Sequence, residues 1–177
     1  MLLAGVCIDS AASVAEVANR YPDRMMSAAS LLDAARGSLA DVAKEGLGEE
    51  RSSRWRGDRI VRVGEAWHVG VLLLTDDRVL ATGEVLRAAD PGRRGYTAES
   101  ARERAARRQM ALRGGFREGE VAHVGWSVID ADAVDAGGAS GPLAMRDGIV
   151  SVQWSGASWR PLDAYLQEQV ELMIARD

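Results

Sequence analysis

The chain has 177 residues, 47% of them hydrophobic, and a formal net charge of −4, values that suit one globular domain with a sizeable core. The negative balance gives no reason to expect nucleic acid or an anionic membrane surface as partner, and no apolar run is long enough to span a bilayer. One cysteine, Cys7, rules out an internal disulfide, and with two histidines it argues against a structural zinc site. No cofactor is therefore expected, and the cytoplasm is the default compartment. Lys44 is the single lysine among 22 basic residues, a ratio that reads first as genome composition and only second as selection for bidentate anion contacts.

Residues 1–25 lack strong periodicity and read as a poorly packed or spurious extension, followed by one domain over 26–177 that begins with a helical segment. Ser27 is placed to cap that helix, with Leu31, Leu32, Ala35, Leu39 and Val42 at helical spacing. Gly46 to Ser53, GLGEERSS, reads as a polar connection. Arg59 to Arg87 then predicts a three-strand meander with turns at Gly64-Glu65 and at Thr75 to Arg78. Its middle strand is apolar on both faces and so should be covered on both sides. Gly83 in the third strand marks a bulge or a close approach.

Asp90 to Gly95 is a turn-rich break. Thr97 should cap a crossing helix that runs to about Leu112 and stops at Gly114-Gly115, with Ala98, Ala101, Ala105 and Leu112 inward and Glu103 paired to Arg107. Glu120 to Ile129 alternates as a strand, and Asp130 to Gly141 reads as a loop. Arg146-Asp147-Gly148 predicts a hairpin between Leu143–Met145 and Ile149–Trp154. A C-terminal amphipathic helix starts at Pro161 or Leu162, with Leu162, Tyr165, Leu166, Val170, Met173 and Ile174 on its inner side. The class is α+β: an antiparallel sheet, or a partly open barrel resembling a pleckstrin-homology-like fold, with a crossing helix and the C-terminal helix. A flat sheet with helices on one face is the alternative.

Few residues invite chemistry. Cys7 lies in Gly5-Val6-Cys7-Ile8-Asp9, but Asp9 stands where a nucleophile elbow needs glycine. His68 and His123 could meet across a sheet and bind metal with an aspartate, yet no third ligand is evident, so they read as strand histidines and no metal residue is assigned. Asp130, Asp132 and Asp135 open like a calcium loop, but Val134 falls on a ligand position and no glutamate closes it. Arg104, Arg107 and Arg108 share a stretch of helix just after Arg93 and Arg94, and these five could hold a phosphate or carboxylate. Trp67, Trp126 and Trp154 fall on expected strands and read as core, whereas Trp55 and Trp159 fall in connections.

Three stretches carry a resemblance: Trp67 to Leu74 (WHVGVLLL); Ser140 to Leu143 with Arg146-Asp147-Gly148 and Val152-Gln153-Trp154; and Pro161 to Leu166. Over about Met26 to Met173 the chain resembles a small family of uncharacterised actinobacterial proteins, some labelled glutaminase. The resemblance thus implies an amide hydrolase, but the residues do not supply one. Lys44 is preceded by Asp41 where the serine-dependent type has serine, and Cys7 is not at the terminus, where an N-terminal nucleophile must stand. The expectation is a non-catalytic binding or interaction domain for a protein or a small anionic ligand. An amide hydrolase and an arginine-based anion-binding module are the alternatives.

Overall fold

The structure is a computed structural model that describes residues 26–55, 57–90, 92 and 98–176. The fold is α+β: the described residues form four helices and two mainly antiparallel sheets, neither closed into a barrel. The expected extension over 1–25, with Cys7, and the expected cap Thr97 lie outside the described residues.

Helix α1 spans Ala28–Ser38 and is capped as its sequence predicts, the Ser27 hydroxyl accepting from the Ser30 amide. A second acceptor comes from far away: the Asp135 carboxylate takes the Ala28 and Ala29 amides at 2.5 and 3.3 Å. These amides have no partner inside the helix, so the carboxylate also offsets the positive helix end.

Strand β1, Glu45–Arg51, occupies the stretch expected to be a polar connection. Its glycines are there for room. A Cβ on Gly46 would come 2.4 Å from the Phe116 ring, and one on Gly48 2.5 Å from Ile60. Strand β2 is one long strand, Arg59–Val69. It passes straight through the expected turn, because Gly64 and Glu65 pair with Leu47 and Gly46 of β1. The turn is at Gly70-Val71 instead. Gly70 has φ +62°, and the Tyr165 hydroxyl seats the turn by accepting from the Val71 amide at 2.8 Å.

Strands β3 (Leu72–Leu74), β4 (Val79–Ala81), β5 (Glu84–Arg87), β6 (Val121–Val124) and β7 (Ser127–Ile129) complete a seven-stranded sheet in the order β5-β6-β1-β2-β3-β4-β7. The β1–β6 pairing is its parallel one. The expected strand over 120–129 is broken at Gly125-Trp126, which moves Val128 to an exposed position. Gly83 is the close approach its sequence suggests: a Cβ there would lie 2.3 Å from the Val124 carbonyl oxygen. The β4–β5 and β6–β7 links therefore touch.

Helix α2, Glu99–Arg113, covers one end of the sheet, burying Ala105 and Ala111 near Ile60, Leu86, Ala122 and Phe116. Its C-cap Gly114 presses on β2 so closely that a Cβ would meet the Ile60 carbonyl oxygen at 1.7 Å. Helix α3, Ala131–Asp135, stands where a loop is expected, because Asp130 caps it through the Ala133 amide. Strands β8 (Ala139–Ser140), β9 (Leu143–Arg146), β10 (Ile149–Ser155) and β11 (Ser158–Pro161) form the second sheet, β11 being unforeseen. The β9–β10 hairpin turns on Asp147 and Gly148, both at positive φ (+49° and +76°), as expected of Asp-Gly. Helix α4, Leu162–Ile174, buries Leu162, Tyr165, Leu166 and Val170; of the other two residues its periodicity marks, Met173 is half-buried against the core and Ile174 is exposed, because the last turn runs past the sheet's cover. With α1, β2, β3 and β10 it encloses the main core around Leu32, Trp67, Leu72, Leu143 and Leu162.

Candidate functional site

Two groups of polar side chains stand out, both set by the first sheet. One is a cleft of about 370 Å³ between edge strand β5 and α2, lined by Glu84, Arg87, Arg104 and Arg108 beside Ala101 and Ala105. Small residues on the inner face of α2 leave the space. The three guanidiniums bond only to main-chain oxygens: Arg87 to Gly119, Arg104 to Ser100 and Arg108 to Arg87. None of them forms an ion pair with a carboxylate of the described residues.

The sequence grouped five arginines, and the fold divides them. Arg104 and Arg108 line the cleft. Arg107 turns away and is held at 2.6 Å by Glu50 and at 2.6 Å by Glu84, not by Glu103. The hydrogen bond it donates to the Glu50 carboxylate raises its pKa, so its charge is committed there. Arg93 and Arg94 lie outside the described residues. Arg87, from β5, escaped the sequence reading because nothing in sequence links it to a helix starting twelve positions later.

The other group lies on the sheet face away from α2. Register decides its members. Glu45 pairs with Ala66, which puts Glu45 and His68 on the same face of neighbouring strands. Leu47 is beside His123 in the parallel pair, which brings His123 to that face from the other side. Glu45 Oε2 lies 2.5 Å from His123 Nε2 and 3.6 Å from His68 Nδ1, and the rings meet edge to face with centroids 4.6 Å apart. The apolar cluster of Leu47, Ala66, Leu73 and Leu80, with Trp126 against it, lines the same face.

His123 is fully buried, and its Nδ1 has no hydrogen-bond partner. Glu45 and His68 keep 37% and 33% of their side-chain surface, so the group opens to solvent on one side. The hydrogen bond with His123 holds the Glu45 carboxyl below its usual pKa, against the opposing effect of burial. Burial, then the neighbouring His123, pushes the His68 imidazole below its usual value, against the pull of Glu45. The two histidines do meet across the sheet, then, with a glutamate as the third member. Glu45 was invisible in sequence because its strand read as a connection.

The aspartates of the calcium-like run have structural tasks: Asp130 caps α3 and Asp135 caps α1. Trp67 is core, its indole donating to the Val42 carbonyl, whereas Trp154 is half exposed and Trp55 almost fully so. No helix among the described residues is long and apolar enough to cross a membrane. Comparison with known proteins finds no family model that matches the chain, no matching curated protein and no matching solved structure.

Proposed function

We propose that this chain is a binding domain for a small oxyanion, a carboxylate or phosphate, held in the β5–α2 cleft. The observation that carries the reading is that Arg87, Arg104 and Arg108 line one cleft and, among the described residues, bond only to main-chain oxygens, while the cleft's one carboxylate, Glu84, is paired with Arg107. A guanidinium has five donors in a planar fork that matches two oxygens of a carboxylate or phosphate. Arg104 and Arg108 are four residues apart on one helix, so they present those forks to the same side. The amide-hydrolase alternative, drawn from the label on some members of the resembling family, lacks a nucleophile. Among the described residues no hydroxyl or thiol is hydrogen-bonded to either histidine.

Isothermal titration with inorganic phosphate and with citrate, at low and at high salt, tests the reading. Saturable binding of either anion by the wild type is expected, weakened by salt and reduced at least tenfold in Arg104→Ala and in Arg108→Ala. Absence of binding at low salt, or binding that both variants retain, would sink it.

A further inference from the structure

We infer that Glu45, His68 and His123 form a binding site for a divalent transition-metal ion of the zinc class. The inference is independent of the oxyanion cleft and uses none of its arginines. Two imidazole nitrogens and one carboxylate oxygen are the donor set that suits zinc, cobalt(II) and iron(II), whereas calcium and magnesium want oxygen alone. Among the described residues this is the trio of His, Cys, Asp and Glu side chains whose donor atoms converge, all within 4.8 Å of one another.

The distances suit an ion entering with little movement. Zinc sits about 2.0–2.2 Å from nitrogen and oxygen donors, so tetrahedral donors stand roughly 3.3 Å apart. Here Glu45 Oε2 is already 3.6 Å from His68 Nδ1 and 2.5 Å from His123 Nε2. Without an ion, the carboxylate closes on the nearer imidazole. Opening that contact by under an ångström is a side-chain adjustment, because the three Cα positions are fixed by ladder hydrogen bonds between β6, β1 and β2.

Packing does not account for the trio. A core built for stability alone would fill the His123 position with an apolar residue. Instead it holds a ring whose Nδ1 is buried without a hydrogen-bond partner among the described residues. His123 supplies the closed inner side of the site. Glu45 and His68, each about two-thirds covered, leave an outer side where a water or a ligand atom completes four-coordination.

The test is titration of the untagged full chain, stripped with chelator, with cobalt(II) and then zinc. One equivalent of cobalt should bind, giving visible d–d absorption of a four-coordinate nitrogen and oxygen site, and zinc should displace it one for one. His123 is fully buried and its variants endanger folding, so half-exposed His68 carries the decision. His68→Gln should weaken cobalt binding at least tenfold and alter the spectrum, with the thermal midpoint checked against wild type. Glu45→Gln should do the same. No absorption in the wild type at several-fold excess would overturn the inference. So would variants that bind within tenfold of wild type, or a sulfur-to-metal band pointing to Cys7.

Discussion

The arginine cleft and the carboxylate–imidazole trio are built on neighbouring strands of the same sheet, by opposite means. The trio hangs from three adjacent strands whose register fixes every Cα, and its innermost member is fully buried. The cleft lies between an edge strand and a helix that meets the sheet through small residues, Met110 and the Arg107 ion pairs, and its arginines are long exposed side chains. Strand-borne geometry survives the loss of a helix contact, and helix-borne geometry does not. Arg87 joins the two: it lines the cleft, and its charge is one of those that lower the Glu45 pKa.

The hardest way to break the comparison is at Gly114. A methyl group there would collide with the Ile60 main chain, and neither backbone can yield without moving α2 away from β2. Gly114→Ala should cost about 3 kcal/mol, at the upper end of overpacking effects. Chemical denaturation measures it. The displaced helix should also lose the cleft, so phosphate binding should fall while the response of the Glu45 trio to cobalt persists. If both vanish together, the two sites are not mechanically separate.

Inside the trio, contacts at 2.5 and 3.6 Å predict unequal coupling. A double-mutant cycle on Glu45→Ala and His123→Ala should give a coupling energy of about 0.5–3 kcal/mol. The cycle on Glu45→Ala and His68→Ala should give less, because the 3.6 Å contact is longer and its partners are more exposed. Equal couplings would mean that Glu45 sits midway between the rings.

Acid should act on the trio through two groups of the same sign. The folded pKa of Glu45 is below its ordinary value of 4.5, so its contribution is present above that value and is lost as pH falls through the folded pKa. The folded pKa of His68 is also below its ordinary value, 6.5, so the unfolded chain takes up that proton first. Stability should therefore begin to decline as pH drops below 6.5, ahead of the carboxylate limb. Urea midpoints measured between pH 7.5 and 4 should show the early decline in wild type and lose it in His68→Gln. An unchanged profile in the variant would remove His68 as its source.

How legible each region was follows from what its sequence had to accommodate. The C-terminal third was written in local chemistry: Asp147-Gly148 can satisfy positive φ at both positions, and Leu162, Tyr165, Leu166 and Val170 keep helical spacing. The trio was hidden by tertiary demands. Gly46 and Gly48 make β1 look like a turn, but they are glycine because Phe116 and Ile60 fill the space beside them. With β1 misread, Glu45 had no strand to stand on, and the histidines lacked their third partner. Gly64 misled in the same way, signalling a turn where pairing with Leu47 keeps β2 extended. Gly70, read as one more strand residue, makes the turn because Tyr165, far along the chain, receives it there.

The smallest effect concerns the arginines that sequence grouped and the fold separates. Arg107 is held between Glu50 and Glu84; its own side chain is 29% exposed, and the two carboxylates are about half exposed. Exposed pairs of this kind are worth about 0.2–1 kcal/mol each, so Arg107→Ala should lower stability by about that amount or somewhat more. It should weaken phosphate binding less than Arg104→Ala does, since Arg107 reaches the cleft only through Glu84, the lining carboxylate it neutralises. Arg104 is one helical turn away, with only the Ser100 carbonyl as partner. Arg104→Ala should stay within about 0.5 kcal/mol of wild type in stability, as surface substitutions without special contacts do, yet remove anion affinity. The two variants together form a crossover: one loses stability and keeps more of the ligand affinity, the other keeps stability and loses the ligand. Denaturation and phosphate titration on the same two preparations decide it. If Arg107→Ala weakens phosphate binding as much as Arg104→Ala, the ligand is held on the solvated face of α2, and the β5–α2 cleft is not its site.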